Sequence, residues 1–201
     1  MAADASPSGA SPVAFVPRKV FLFSGHMIDA ADRAVPRFPA RAVPVAERAI
    51  AEKLDELHAG EQDLAICSAA CGGDLLFAEA ALQRGARLEI YLPFDVPAFL
   101  ASSVDFAGSA WHSRFEAVAS RSVLHLLPRE HPALPEGHDP YESNNRWMLQ
   151  QAQLHGAGRI AFICLWNGEG GDGPGGTAHM FREVQQRGGQ VHWLDTNALW
   201  R

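Results

Sequence analysis

A run of residues near the middle of the chain alternates apolar segments with glycine turns in the order typical of a β-α-β crossover. Residues 64–70 are almost wholly apolar without alternation, a pattern typical of a strand buried on both faces of a parallel sheet. Gly72 and Gly73 allow a sharp turn, after which Asp74 is predicted to cap an apolar helix. Residues 87–92 then form a second apolar run, which predicts a returning parallel strand.

The rest of the chain repeats this alternation of strands and helices. Further strands are predicted at residues 19–23, 122–127, 159–166 and 190–194. Helices are predicted at residues 44–59, 96–104, 110–119, 140–155 and 177–187, with Asp139 as a capping residue. This order predicts an α/β fold, a doubly wound and mainly parallel sheet with helices on both faces.

Composition narrows the class of protein. At 201 residues with 47% hydrophobic residues, the chain predicts one domain, at residues 18–201, after an Ala/Ser/Pro-rich leader at residues 1–17 that we expect to be disordered. No apolar run approaches the roughly 18 residues of a membrane span, so no membrane association is expected. The net charge of -6 argues against a nucleic-acid surface. The sequence is compatible with a homo-oligomer.

The three cysteines indicate a reducing compartment. Cys67, Cys71 and Cys164 lie in or beside predicted buried strands, and their number is odd. Reduced thiols and a cytoplasmic location are therefore expected. Cys67 and Cys71 have the spacing of half a metal site, but no second Cys or Cys/His pair completes it, so no metal is expected.

Three loops follow strands whose carboxyl ends should meet at one edge of the sheet, where doubly wound proteins bind ligands. The candidate ligand-binding residues in these loops, with Asn145 on the helix at residues 140–155, are Ser24, Gly25, His26, Asp29, Ser68, Ala70, Cys71, Gly72, Gly73, Asp74, Asn145, Trp166, Gly173, Pro174, Gly175, Gly176 and Thr177.

The chemistry of these loops suits a phosphate and a ribose. Glycines at the start of a helix let an anion approach unpaired N–H groups, and the Thr177 hydroxyl could donate to a phosphate oxygen. His26 and Asp29 could orient a ribose or act on a proton. Structural alternatives stay open, because glycines also form turns that bind nothing, and His26 and Asp29 could bond each other.

Other segments are less informative. Arg33, Arg37 and Arg41 could meet a phosphate or remain solvated. Residues 129–137 form a Pro/Glu/His-rich loop beside the strand ends, which is a candidate lid. Trp111 is assigned to the core.

The motifs together resemble the SLOG superfamily of Rossmann-like nucleotide-ligand proteins, which contains DNA-processing protein A and the Lonely Guy phosphoribohydrolases. The likeness covers about residues 20–195. Its motifs are Ser-Gly-His at residues 24–26, Ala-Cys-Gly-Gly-Asp at residues 70–74 with Leu-Phe-Ala-Glu at residues 76–79, and Gly-Pro-Gly-Gly-Thr at residues 173–177. Bacterial members with these motifs are the most similar. The resemblance implies a sensor in nucleotide signalling that binds a nucleotide or NAD-derived small molecule and requires no cofactor.

An enzymatic function is the alternative. Lonely Guy enzymes carry Pro-Gly-Gly-x-Gly-Thr-x-x-Glu, whose glutamate takes part in cleaving an N-glycosidic bond. In this chain the x-Gly spacer is missing before Thr177, and Met180 stands where the glutamate would follow. An N-glycosidase, phosphoribohydrolase or ribosyltransferase could instead use Glu79, whose apolar neighbours would raise its pKa if it is buried, with His26 as a second catalytic group. Pairing with an arginine is the structural alternative for Glu79.

Overall fold

The computed structural model describes residues 15–127, 139–169 and 176–200. The predicted lid at residues 129–137, the predicted ligand contacts at Gly173, Pro174 and Gly175, and residues 1–14 of the predicted leader lie outside the described residues.

The described residues form one six-stranded parallel sheet with the order β4-β3-β2-β1-β5-β6. Its strands are β1 (Val20–Gly25), β2 (Leu64–Cys67), β3 (Arg87–Leu92), β4 (Val123–Leu126), β5 (Ile160–Trp166) and β6 (Gln190–Asp195). Every neighbouring pair of strands is parallel. The predicted α/β class and doubly wound sheet are therefore confirmed.

Helices cover both faces of the sheet. They are α1 (Val43–Glu56), α2 (Gly73–Gln83), α3 (Val96–Ser103), α4 (Ser109–Ala119), α5 (Pro140–Gln153), α6 (Thr177–Gln186) and the short α7 (Thr196–Leu199). A hydrophobic core lies on each face of the sheet, and alternate residues of β1 belong to different cores. Phe21 and Phe23 pack with α1 to α4, while Val20 and Leu22 pack with α5 and α6. Trp111 lies in the first core, as predicted.

The chain reverses its direction of winding beside β1. From β1 it proceeds through β2 and β3 to β4, and it then returns to β5 on the other side of β1. The loops that leave β1 and β5 therefore diverge, and the crevice between them is the place where doubly wound sheets bind ligands. No helix of the described part of the chain is long and apolar enough to span a membrane.

The structure corrects two local predictions and confirms one. β2 ends at Cys67 instead of residue 70, because Ala69 adopts a left-handed conformation with φ of 58°. Gly72, and not Asp74, is the N-cap of α2, and the Asp74 carboxylate accepts a hydrogen bond from the Ser68 N–H at 3.1 Å. Asp139 caps α5 as predicted, since its carboxylate accepts from the Tyr141 N–H at 2.8 Å.

Candidate functional site

A cavity of about 380 Å³ opens at the carboxyl ends of β1, β2 and β5. Helices α3, α5 and α6, the start of α2 and the loop after β1 contribute the remaining walls. The cavity is lined by Ser24, Gly25, His26, Met27, Arg37, Ser68, Ala70, Asp74, Phe99, Ser103, Asp139, Tyr141, Asn144, Asn145, Trp166, Gly176 and Thr177.

Most of the predicted site residues in the described part of the chain meet at this cavity. Those that line it are Ser24, Gly25, His26, Ser68, Ala70, Asp74, Asn145, Trp166, Gly176 and Thr177. The predicted residues that are described but do not line it are Asp29, Cys71, Gly72, Gly73 and Glu79.

Helix α6 begins at one end of the cavity. Its N-cap is Gly176, which has no side chain with which to cap the first N–H groups of the helix. The Oγ atom of Ser24 lies 3.1 Å from Oγ1 of Thr177, which joins the end of β1 to the first turn of α6. One hydroxyl hydrogen bridges the two oxygens, and the second remains available to another acceptor.

The side chain of His26 lies between the loops that follow β1 and β5. Its Nε2 atom is 3.2 Å from the backbone N–H of Asn167 and 3.2 Å from the side-chain Oδ1 of the same residue. Burial, with a contribution from the positive charge of Arg37, lowers the pKa of His26 from 6.5 to about 4. The ring is therefore neutral at physiological pH.

Asp74 is a buried carboxyl group in the cavity wall. Burial raises its pKa from 3.8 to about 7, against the opposing effect of backbone N–H groups. These N–H groups belong to Ser68, Ala69 and Ala70 in the turn after β2, and to Gly25 at the end of β1. One carboxyl group thus ties together the ends of two neighbouring strands.

The predicted roles of Gly72 and Gly73 need correction. A Cβ at Gly72 would lie 2.8 Å from the carbonyl oxygen of His26, and one at Gly73 would lie 3.2 Å from the ring of Phe23. The missing side chains make room for the protein itself, instead of for a phosphate or ribose. The thiol of Cys71 is also enclosed, and burial raises its pKa to about 12.

The carboxylate of Asp29 forms its contacts within its own loop. It accepts hydrogen bonds from the backbone N–H groups of Arg37 and Phe38, at 3.0 and 2.9 Å, and forms an ion pair with Arg33 at 3.2 Å. This loop structure brings Arg37 to the cavity wall. Asp29 therefore orders a residue of the site and does not line the cavity itself.

Glu79 lies away from the cavity, on α2. Its carboxylate accepts a hydrogen bond from Nε of Arg114 at 2.7 Å and also pairs with the terminal nitrogen of the same guanidinium. The guanidinium lies over the ring of Trp111 at 4.7 Å. The structural alternative for Glu79, pairing with an arginine, is the arrangement observed.

Several residues that line the cavity were not among the predicted ligand contacts. These are Met27, Phe99, Ser103, Asp139, Tyr141 and Asn144. Asn144, rather than only its neighbour Asn145, reaches the strand ends, and its Nδ2 donates to the Tyr91 carbonyl at 2.8 Å and to Ser68 Oγ at 2.9 Å. The polar Asn144 lies on the buried side of α5, and this departure from the apolar pattern was the available signal.

No metal-binding cluster accompanies the cavity. Within residues 15–127, 139–169 and 176–200, no group of three or more His, Cys, Asp or Glu side chains is placed to hold a metal ion.

Comparison with known proteins gives similarity at the level of solved structures. No protein-family model matches the chain, and no curated protein matches it. The structure of DNA processing protein A of Streptococcus pneumoniae matches with a TM-score of 0.40 and 13% identity, over 87% of this chain and 58% of that chain. The Moco carrier protein of Chlamydomonas reinhardtii matches with a TM-score of 0.34 and 10% identity, over 90% of this chain and 91% of that chain.

These comparisons do not assign a family. The chain spans little more than half the length of the first of these structures. The sheet topology is Rossmann-like, whereas membership of the SLOG superfamily stays a prediction.

We expect Gly72→Ala to destabilise the protein more than Gly108→Ala. The two glycines have similar φ angles, +107° and +104°, so both substitutions carry a conformational cost of about 1–3 kcal/mol. Only at Gly72 would the new Cβ meet backbone atoms, whereas it would meet nothing within 4 Å at Gly108. The extra steric cost is about 1–3 kcal/mol, measurable by urea denaturation. Equal losses of stability would show that the two loops do not pack closely at Gly72.

His26 and Asp74 affect the pH dependence of stability in opposite directions. Between about pH 4 and 6.5, His26 is neutral when folded and protonated when unfolded, so it makes the free energy of unfolding rise with pH. Over the same range Asp74 is protonated when folded and ionised when unfolded, so it makes the free energy of unfolding fall with pH. Each contribution approaches about 1.4 kcal/mol per pH unit, and the two offset each other.

Separate substitutions of His26 and Asp74 should reveal how each residue changes the dependence of the free energy of unfolding on pH. Relative to wild type, Asp74→Asn is expected to make the free energy of unfolding increase with pH between 4.5 and 6.5, and His26→Gln is expected to make it decrease. Urea denaturation at several pH values measures both, and subtraction of the wild-type curve removes the titration of other groups. Curves that stay parallel to wild type would contradict the assignment.

Proposed function

We propose that the protein is a sensor that binds a nucleotide or NAD-derived small molecule in this cavity. The observation that carries the proposal is the position of the cavity. It lies at the switch point between β1 and β5, where α6 begins beside the hydroxyl pair of Ser24 and Thr177. Switch-point crevices are the usual ligand sites of such sheets, and helix N-termini attract phosphate groups.

The α6 end of the cavity favours an anionic group. The first N–H groups of α6 and the hydroxyl pair supply hydrogen-bond donors, and Arg37 contributes a positive charge to the lining. A phosphate accepts several hydrogen bonds at once, and bonds to a charged group are stronger than those to a neutral one. This end therefore fits the phosphate of a nucleotide.

The size and the aromatic lining of the cavity favour a ligand with a planar ring. A volume of about 380 Å³ lies within the range of small-molecule sites. Trp166 stands at the same end as α6, with its indole N–H donated to the Glu169 carbonyl at 2.6 Å. Because that N–H is already bonded, Trp166 can contact a ligand in the cavity only through the rest of its ring, on which a nucleobase could stack.

Cleavage of an N-glycosidic bond is less well supported than binding. The glutamate considered for that reaction, Glu79, is paired with Arg114 and does not line the cavity. A catalytic group must reach the proton or atom on which it acts, so this position favours the sensor over the hydrolase or transferase.

We expect Thr177→Val to weaken the binding of nucleoside monophosphates about tenfold to a hundredfold. The substitution keeps the shape of the side chain but removes a hydroxyl that donates to phosphate, a loss of about 1–3 kcal/mol. Calorimetry with a panel of purine and pyrimidine 5′-monophosphates measures the effect. The corresponding nucleosides are the control, since they lack the phosphate and should bind both proteins equally. An equal loss of affinity for nucleosides and nucleotides would show that the phosphate does not bind at the α6 end.

We expect Trp166→Leu to weaken the binding of AMP about tenfold to a hundredfold while leaving ribose 5-phosphate unaffected. Stacking of a base on an aromatic ring contributes about 1–3 kcal/mol, and ribose 5-phosphate has no base. Calorimetry of both ligands measures the difference.

Trp193→Leu provides the matched control for that experiment. Trp193 packs against Trp166 with ring centroids 5.9 Å apart but does not line the cavity. Its replacement should leave the affinity for AMP unchanged. If the two substitutions weakened AMP equally, the effect would come from disruption of the aromatic cluster and not from stacking on Trp166.

A further inference from the structure

The two ring nitrogens of His26 have different environments, and one of them already has a hydrogen-bond partner. The backbone N–H of Asn167 points at Nε2 over 3.2 Å with hydrogen-bond geometry. A backbone N–H can only donate, so Nε2 must accept and carries no proton. The ring proton of the neutral histidine is therefore on Nδ1.

The nearby side chain of Asn167 does not decide the tautomer. Its Oδ1 lies 3.2 Å from Nε2, but it also accepts a hydrogen bond from the Glu169 N–H at 3.2 Å. A proton on Nε2 would face the backbone N–H of Asn167, which is a repulsive contact between two donors. The Oδ1 contact is therefore a close approach of two acceptors beside a shared N–H, and not the bond that sets the tautomer.

The charged groups around His26 oppose its protonation overall. After burial, Arg37 makes the largest contribution to lowering the pKa, and Arg33 adds to it; Asp29 and the side chain of Asn167 act in the opposite direction. The resulting pKa of about 4 leaves the ring neutral from pH 5 to 8. Geometry and electrostatics thus agree on an uncharged ring with its proton on Nδ1.

The remaining donor belongs to a residue of the cavity wall. His26 lines the cavity, and its hydrogen bonds within the described part of the chain are both made through Nε2. Ser24 and Thr177, which form the hydroxyl pair, line the same cavity. A donor in this position complements the donors that α6 provides.

We propose that His26 recognises an anionic oxygen of the ligand, of the phosphate or carboxylate class, as a neutral hydrogen-bond donor through Nδ1–H. This inference rests on the proposed function. His26 then holds a proton in place and does not transfer it, which differs from the catalytic role considered from the sequence. Neutral histidines that donate a hydrogen bond to a substrate oxygen are an established device in enzyme active sites.

A neutral donor has a different consequence for binding from a charged one. A histidine cation would lose its contribution to affinity as the pH rises through its pKa. The contribution of His26 should instead be constant from pH 5 to 8, because the ring does not change its charge there. Arg37 contributes a positive charge to the lining of the same cavity.

Long-range ¹H–¹⁵N correlation spectra of the full chain test the tautomer directly. The signals of His26 are identified by their absence from the spectrum of His26→Gln. We expect the pattern of an Nδ1–H tautomer from pH 5 to 8 in the free protein. A proton on Nε2, or a doubly protonated ring at pH 6, would overturn the inference without involving any ligand.

The same spectra with 5′-AMP and with 5′-UMP test the contact. We expect each nucleotide to shift the Nδ1 resonance, and adenosine or uridine to shift it less. Saturation by a nucleotide that moves other signals but leaves Nδ1 unchanged would overturn the donor role while the proposed function stands. If neither nucleotide moved any signal, the proposed function would fail, and the ligand contact of His26 with it.

Affinity measurements on two variants provide a second readout. His26→Asn keeps an amide donor close to the position of Nδ1, whereas His26→Leu has none. Relative to wild type at the same pH, we expect His26→Leu to weaken AMP about tenfold and His26→Asn to weaken it less. The comparison is made at matched pH because the phosphate and Asp74 titrate between pH 5 and 8 in all three proteins. Equal affinities of the two variants would contradict the donor role, and urea denaturation confirms that both are folded.

Discussion

The site depends on direct backbone contact between the loop that follows β1 and the turn that follows β2. The Ile28 N–H donates to the Cys71 carbonyl at 3.1 Å, and the Gly73 N–H donates to the His26 carbonyl at 3.0 Å. Met27 and Gly72 form an isolated antiparallel bridge between them. Such an approach leaves no room for a Cβ at residue 72, so the glycine is a requirement of the fold. Through this contact the start of α2 fixes the position of His26, and the geometry of the cavity follows from the packing of two loops.

The Asp74 carboxyl group also connects these two loops, and its burial costs stability. Its oxygens face backbone N–H groups from the turn after β2 and from Gly25, which would otherwise be buried without partners. Burial of the group disfavours its charged form, as its raised pKa shows. The residue thus satisfies several donors at the edge of the cavity, but it lowers the free energy of unfolding as the pH rises from about 4 to 7, where it is ionised only in the unfolded state. Buried groups with shifted pKa values concentrate at functional sites, where local stability is often sacrificed for a specific arrangement.

The sequence predicted the sheet, and it predicted which edge of the sheet brings the three loops together, because both follow from patterns that the chain displays. Strands such as β5 are buried on both faces and read as continuous apolar runs, and parallel topology then brings their carboxyl ends together. The roles of individual residues were harder to predict, because they depend on what occupies the neighbouring space. A glycine shows that a side chain is missing, but at Gly72 the space belongs to backbone from another loop and not to a ligand. Likewise, the apolar neighbours of Glu79 on α2 gave no indication of Arg114, which reaches it from α4.

Burial also decides which groups set the electrostatic character of the cavity. It drives His26 to its neutral form and shifts Asp74 towards its neutral form, so these two titratable groups contribute less charge than their types imply. The α6 N-terminus and the guanidinium of Arg37 contribute a positive field at one end of the cavity, whereas the acidic side chain of Asp139 lines it at the start of α5. Fixed dipoles act more strongly where little water is present to screen them. A chain with a net charge of -6 can therefore carry a positive field at the α6 end of its cavity, and it is this local field, not the net charge, on which the proposal of an anionic ligand rests.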